Sequence, residues 1–209
     1  MNEYHKIQTM FKREIGCNSK KLLEGQWTLP EFEYLSNNIW TFTEKVDGTN
    51  IRIMLKDGVV TFGGKTDSAS IPSQLVARLN EKFLPLASRM AEIFAGNTCL
   101  YGEGYGAKIQ KGGGNYRQDQ DFVLFDVKCR DWWLQRTDIE YVANTLGIDV
   151  VPVIGEGTLH DAILKVKTGI VSVWGDFQAE GIVARPKVEL KNRAGDRIIT
   201  KIKHRDFAA

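Results

Sequence analysis

The sequence predicts an α+β fold built on antiparallel sheets flanked by helices. Strand-length runs of aromatic, β-branched and aliphatic residues come in groups, not in strict alternation with helices, so no βαβ order is established. Two of the runs are joined by Asp57-Gly58, a two-residue turn of the kind that closes an antiparallel hairpin. The helical patterns fall in blocks of their own, between groups of strands.

Taken in order, the first 35 residues are mixed, with Lys6, Lys12, Arg13, Lys20 and Lys21 among isolated hydrophobics, and predict a loop-rich lead-in with one short helix or strand. Ile39 to Lys45 reads as a strand. Ile51 to Leu55 and Val59 to Phe62 are the two arms of the hairpin, and the run Gly63-Gly64-Lys65-Thr66-Asp67 leaves the sheet as a loop. After Pro72, Leu75, Leu79, Phe83, Leu86, Met90, Ile93 and Phe94 recur at helical spacing, and Pro85 predicts a split into two helices. Cys99 to Glu103 is a strand running into a glycine-rich loop over residues 104–116, and Phe122 to Val127 is a buried strand. Thr137-Asp138-Ile139-Glu140 reads as a capping box opening a helix that stops at Gly147. Val150 to Ile154 is a strand. Thr158 with Asp161 opens a helix ended by Gly169. Glu180 to Arg185 and Arg197 to Lys203 are the last strands, joined by a turn near Ala194-Gly195-Asp196.

Composition bounds the function more by exclusion than by assertion. At 209 residues and 43% hydrophobic, the chain has material for one large domain with a real core. The formal net charge is +2, from 28 basic and 26 acidic residues, so a nucleic-acid surface would come from clustering of charge and not from excess. Cys17, Cys99 and Cys129 are far apart and form no CxxC pair, and His5, His160 and His204 are scattered. Neither a zinc site nor a disulfide framework is indicated. The polar N-terminus holds no signal core, and no apolar run is long enough to span a bilayer, so a cytoplasmic protein with no membrane partner is expected.

Two glycine patterns are excluded as nucleotide motifs. Gly102, Gly104 and Gly106 lack the βαβ unit of a dinucleotide fingerprint, and the triple glycine at 112–114 lacks the Lys-Ser/Thr of a P-loop. A different set of residues stands out at strand ends. Lys45 precedes the Asp47-Gly48 turn; Glu103, Asp126 and Glu180 end or begin strands; Lys201 and Lys203 share one face of an otherwise apolar strand. Two lysines on such a face are costly if buried alone, and make sense where that face meets phosphates.

Lys45-Val46-Asp47-Gly48 resembles motif I of the covalent nucleotidyltransferases, the ATP-dependent DNA and RNA ligases and the mRNA capping enzymes. Tyr101-Gly102-Glu103, Phe122 to Val127, Glu180-Gly181-Ile182-Val183 and Lys201-Ile202-Lys203 resemble the later motifs, in the family's order. Gly48-Thr49-Asn50, the Gly63 to Asp67 run and the glycine-rich segment are most similar to compact phage and bacterial RNA ligases of the nick-sealing kind. The resemblance implies the ligase nucleotidyltransferase (adenylyltransferase, ATP-grasp-like) fold over residues 1–209. The OB or helical domain that usually follows is expected to be missing, so that either the core binds its substrate unaided or a protein partner supplies the clamp.

It also implies an ATP-dependent RNA ligase for RNA repair. Lys45 takes up AMP as lysyl-AMP, passes it to a polynucleotide 5′-phosphate, and a 3′-hydroxyl attack seals the strand. The implied partner is RNA, or an RNA-containing duplex, with 5′-phosphate and 3′-hydroxyl ends. The cofactors are ATP and Mg²⁺, with Mn²⁺ able to substitute. By motif position, Lys201 and Lys203 are the further catalytic residues, binding the α-phosphate. Glu44, Asp47, Asn50, Lys65, Glu103, Phe125 (Phe122 less so), Glu180 and Arg185 complete the nucleotide contacts. Glu180 and Asp47 would hold the metal. Lys65 stands where the family usually has an arginine, and loses its bidentate fork. Lys108, Lys111 and Arg117 are expected polynucleotide contacts. A lysine is almost fully protonated at neutral pH, so Lys45 is expected to titrate well below a free lysine in the ATP-bound enzyme, helped by Lys201 and Lys203. The alternatives are a minimal ATP-dependent DNA ligase and a non-catalytic nucleic-acid-binding relative, with a capping-type guanylyltransferase less favoured.

Overall fold

The structure is a computed structural model, and it describes residues 3–14 and 21–207; Cys17 and Lys20 lie outside the described residues. In chain order the elements are β1 (Gln8–Thr9), β2 (Phe11–Arg13), β3 (Leu22–Trp27), α1 (Pro30–Tyr34), β4 (Trp40–Glu44), β5 (Thr49–Lys56), β6 (Val59–Gly63), α2 (Ser73–Phe83), α3 (Ala87–Ile93) and β7 (Thr98–Gly106). They continue with α4 (Gly113–Tyr116), β8 (Gln120–Cys129), β9 (Trp132–Trp133), α5 (Arg136–Leu146), β10 (Asp149–Val150), β11 (Val153–Gly157), α6 (Leu159–Thr168), β12 (Gly181–Pro186) and β13 (Thr200–Lys203). The lead-in is thus more ordered than its mixed composition predicts.

The chain divides into two compact units. The first holds Met1–His5 and Asp47–Val151; the second holds Lys6–Val46 and Pro152–Ala209. In the first, the strand order is β10-β8-β7-β5-β6, with β9 paired to β8. The ladders are antiparallel except for β10 on β8, which run parallel. Helices α2, α3 and α5 cover one face of this sheet. They do so because Leu75, Leu79, Phe83, Met90, Ile139, Val142 and Leu146 recur at helical spacing and close over Ile51, Ile53, Leu100, Phe122 and Leu124. At the hairpin, Asp57 and Gly58 both have positive φ, 51° and 78°, as its two-residue turn requires.

In the second unit the order is β1-β13-β12-β4-β11, with β2 and β3 as a separate pair. Only β1 on β13 is parallel. The core joins Trp40, Phe42, Ile182, Ala184 and Ile202 of the sheet to Leu159, Ile163 and Val166 of α6 and to Phe32 of α1. Thr158 caps α6 as expected: its hydroxyl accepts from the Asp161 amide, and the Asp161 carboxylate accepts from the Thr158 amide.

Four sequence expectations are corrected. The helix over 136–146 has Gln135 at its N-cap with no side-chain cap; Thr137 already lies inside the first turn, and Glu140 instead accepts from Arg136 Nε at 2.7 Å. The strand expected over 150–154 is two strands belonging to different units, divided at Val151-Pro152. Pro152 has no amide to continue a ladder. The glycine-rich stretch is shorter as a loop than expected, because β7 runs on to Gly106 and α4 forms over Gly113–Tyr116. The last strand starts at Thr200; Arg197 makes only an isolated bridge with Lys191.

Candidate functional site

Lys45 follows the last residue of β4. Its amide donates to the Gly181 carbonyl at 2.9 Å, so the main chain just beyond β4 lies against the start of β12. Glu180 immediately precedes β12, and Lys203 ends β13 opposite Gly181. These three strand ends bring three side chains together. Lys45 Nζ donates to Glu180 Oε2 at 2.5 Å, and Lys203 Nζ pairs with Glu180 Oε1. All three side chains are mostly buried. Burial alone would push the Glu180 carboxyl up, but the Lys45 and Lys203 ammonium groups outweigh it and hold it below the usual carboxylate range. The charged group next to Lys45 is therefore a carboxylate, with the expected cation Lys203 on that carboxylate's far oxygen. Lys201 shares the Lys203 face of β13 and is half-buried; the intervening Ile202 points into the core. Arg185 is half-buried on β12, opposite Thr41.

Glu44 is placed differently from expectation. Its side chain is 1% exposed and turned into the second unit, where it accepts from Ser172 Oγ at 2.7 Å and from the Val173 amide at 3.0 Å. Ser172 Oγ in turn accepts from the Trp174 amide. The carboxylate thus anchors the segment ahead of Glu180, and only the main chain of Glu44 remains to read an adenine edge.

In the first unit, Asn50 and Glu103 are direct partners across β5 and β7 and so share a face. Asn50 Oδ1 is buried with no hydrogen-bond donor. Gly48 sits so close to β7 that a Cβ there would fall 2.2 Å from the Gly104 carbonyl oxygen, which is why the turn needs glycine. The glycine-rich segment holds this turn from the other side: Gln110 Nε2 donates to the Gly48 carbonyl, and Tyr116 Oη accepts from the Asp47 amide. Sequence reading missed both residues, because nothing in a glycine-rich loop announces a long-range contact.

Phe125 is the extra residue of a β-bulge. Tyr101 pairs with Asp126 and Gly102 with Leu124, leaving Phe125 unpaired in the ladder. Its ring meets Tyr4 edge-on at 5.1 Å, and Tyr4 Oη donates to Asp126 Oδ2 at 2.7 Å. Phe122, the alternative stacking residue, is fully buried in the core.

Lys65 is exposed in the loop after β6. The arginine that matters structurally there is Arg52, which sequence reading passed over as an ordinary strand residue. It is fully buried, with Nε donating to the Gly64 carbonyl and Nη2 to Asp67, and so fixes the loop that carries Lys65. Lys108 and Lys111 are exposed. Arg117 is not a comparable surface cation: its guanidinium is spent on Asp119 and Asp121 and lies over the Tyr105 ring. Asp121 also takes Arg78 and Lys82.

No group of three or more His, Cys, Asp or Glu side chains among the described residues is arranged to hold a metal ion. At the Lys45–Lys203 cluster the donor described is one carboxylate, Glu180. That fits a hard divalent ion drawing its other ligands from phosphate and water. Asp47, the other expected ligand, is half-buried at the start of the first unit.

Antiparallel sheets flanked by helices thus carry a lysine–glutamate–lysine cluster at their strand ends. The sequence matches the RNA ligase family over residues 38–203, and the chain belongs to that family. Similar solved structures are of Naegleria gruberi RNA ligase. An apo variant superposes with a TM-score of 0.67 at 16% identity, covering 98% of this chain and 58% of that one. A variant with ATP and Mn gives 0.66 at 17% identity, covering 96% and 61%. A structure with pyrophosphate gives 0.64 at 16% identity, covering 95% and 59%. The chain thus spans about three fifths of the length of these structures. A comparison with curated proteins gave no match. No helix among the described residues is long and apolar enough to cross a membrane.

Proposed function

We propose that the chain is an ATP-dependent RNA ligase whose nucleophile is Lys45. The observation that carries this reading is the Lys45–Glu180–Lys203 cluster, set by main-chain pairing at the ends of β4, β12 and β13 in a chain of the RNA ligase family. The similar structures named as holding ATP with Mn, and pyrophosphate, are in keeping with it.

The reaction joins the Lys45 Nζ to the α-phosphorus of ATP and breaks the bond to pyrophosphate. The AMP then passes to a 5′-phosphate, and a 3′-hydroxyl displaces it to close the phosphodiester. An amine attacks only after losing its proton, and the Glu180 pairing binds the protonated form. Glu180 accordingly holds Lys45 in place before the reaction, and the pair must open as the amine turns to the phosphate. Its depressed pKa makes Glu180 a poor base, so the proton leaves through water rather than resting on the carboxylate. Lys203, already poised on the same carboxylate, and Lys201 on the same strand face supply positive charge for the oxygens of the α-phosphate. A divalent ion, when bound, would use Glu180 as a ligand and neutralise phosphate charge. By motif position Glu103 takes a ribose hydroxyl and Phe125 the adenine face. Asn50, with its unpartnered buried oxygen, and Arg185 add nucleotide contacts. Asp47 assists the metal directly or through water, Lys65 adds a nucleotide contact, and Lys108 and Lys111 meet the polynucleotide.

Incubation with α-labelled ATP and Mg²⁺ tests the reading. Wild type should become covalently labelled and Lys45→Ala should not. No label on the wild type, or equal label on the variant, removes Lys45 from this role.

A further inference from the structure

The first unit holds a second cationic site that the nucleotidyl-transfer chemistry does not use. On the face of the sheet opposite the helices, β7 and β8 end beside an open recess of about 480 Å³. Its walls are Asn97, Cys99, Tyr101, Lys128, Arg130 and Asp131. Cys99 and Tyr101 form a closed, unreactive floor. Both side chains are buried; burial pushes the Cys99 thiol up to about 11 and the Tyr101 phenol higher still, so neither supplies charge.

The rim is different. Lys128 and Arg130 make no ion pair among the described residues, whereas Arg78, Lys82 and Arg117 elsewhere in the unit all converge on Asp121. Lys128 Nζ lies over the Trp133 ring at 5.6 Å, a contact that steadies the ammonium without neutralising it. Arg130 sits in the two-residue turn between β8 and β9 with φ 53°, a conformation in which a non-glycine residue is uncommon. Its amide donates to the Asn97 carbonyl at 2.8 Å. Gly96 leaves the room its guanidinium occupies, since a Cβ there would fall 2.9 Å from Arg130 Nε. Two unneutralised cations held at fixed points beside a recess are a site for an anion. The third charged group, Asp131, repels a bare anion and needs a donor. A ribose phosphate supplies both: an anionic oxygen for Lys128 and Arg130, and a hydroxyl for Asp131 and Asn97.

We propose that this recess binds a ribose-phosphate unit of the RNA strand, with the backbone phosphate on Lys128 and Arg130 and the 2′-hydroxyl on Asp131. The placement fits a strand that runs along β7 from Glu103, the residue given to the ribose hydroxyl. Cys99 and Glu103 alternate onto the same face of β7, four residues apart, which is about 13 Å along the strand. Because of the bulge at Phe125, Asp126 and Lys128 fall opposite Tyr101 and Cys99 and present to that face as well. The proposal rests on the RNA ligase reading for the identity of the ligand, and it concerns a step that reading does not assign.

The test compares wild type with Lys128→Ala/Arg130→Ala. Two measurements are made: labelling by α-labelled ATP, and fluorescence-anisotropy binding of a nicked RNA duplex bearing a 5′-phosphate, across a salt series. Labelling should be unchanged. RNA affinity should fall about tenfold at low salt, and the slope of log affinity against log salt should flatten by about 0.9, the amount expected for one lost phosphate contact. Asp131→Asn should narrow the preference for RNA over a duplex of the same sequence made 2′-deoxy, leaving the salt slope alone. Lys128→Met, which keeps the stem against Trp133, should lose about half the change in slope and separates charge from packing. Unchanged affinity and slope in the double variant overturn the proposal, as does a loss equal for Lys128→Met and for an exposed control, Lys56→Met. Failure of the wild type to label would overturn the ligase reading instead, and RNA binding would still be measurable.

Discussion

Removing the buried carboxylate beside the nucleophile is the most direct test of how the second unit is held together. Glu44 accepts two hydrogen bonds, from Ser172 Oγ and the Val173 amide, in a site from which water is shut out. Hydrogen bonds to a charged group contribute about 1.5–3 kcal/mol each, so Glu44→Ala should cost about 3–6 kcal/mol and leave two donors stranded. For a chain of this size 1 kcal/mol corresponds to about 2–4 °C, which puts the drop in Tm at no less than about 6 °C. Glu44→Gln has a milder expectation. Its amide oxygen can still accept from Val173, and its amide nitrogen can donate to Ser172 Oγ, whose own hydrogen turns elsewhere. Neutral bonds of about 1 kcal/mol then replace charge-assisted ones, and the cost falls to about 1–3 kcal/mol. Thermal unfolding of the three proteins in parallel decides the matter. An Ala variant melting within about 2 °C of wild type, or a Gln variant as damaged as the Ala one, would refute the assignment of Glu44 as an internal anchor.

Two further outcomes follow from packing and charge in the first unit. Gly102→Ala would set a Cβ 2.2 Å from the Phe122 ring and 2.3 Å from the Val123 carbonyl oxygen, while at Gly104 the nearest atom is the flexible end of Leu75 at 2.4 Å. The urea midpoint should therefore fall further for Gly102→Ala, by at least about 1–3 kcal/mol in stability, than for Gly104→Ala. Asp121 sets the acid limit. Burial pushes its carboxyl up, but the Phe122 amide, Lys82 and Arg78 together hold it below its ordinary 3.8. Its contribution is thus complete above that value and is lost as pH falls through the lower folded-state pKa. Tm recorded from about pH 5 down to about pH 2.5 should drop less steeply in Asp121→Asn, from a lower starting point, than in wild type.

Periodic and local features were legible in the sequence. The Asp57-Gly58 hairpin, the helix pair split at Pro85 and the Thr158–Asp161 cap all depend on residues within a few positions of one another, and all stand in the structure. The strand-end positions of Lys45, Glu180 and Lys203 were legible as well, through their order along the chain. What failed depended on partners distant in sequence. Thr137 has the residues of a cap, but Gln135 is the last extended residue and the helix starts at Arg136, ahead of Thr137. Val150 to Ile154 looks like one strand because its residues are alike, yet the halves pair with β8 and β4 in different units. Glu44 reads as a surface residue or a ligand contact, because Ser172 is 128 positions away. Arg52 hides in an apolar strand for the same reason: its partners, Gly64 and Asp67, lie in a loop whose shape only the fold supplies.

The unpaired position in β8 has a consequence for how that strand tolerates change in length. Residues on either side of Phe125 keep regular pairing with β7, offset by one, so a chain lacking this residue would align into an uninterrupted ladder, Leu124 beside Asp126 and opposite Gly102 and Tyr101. Most buried strands are intolerant of a single-residue deletion because every side chain beyond it would swap faces. Here the opposite holds: the strand is one residue longer than its own pairing needs, and the surplus is an aromatic ring. Length variation at this point can pass through folding unnoticed while removing the ring from the unit altogether.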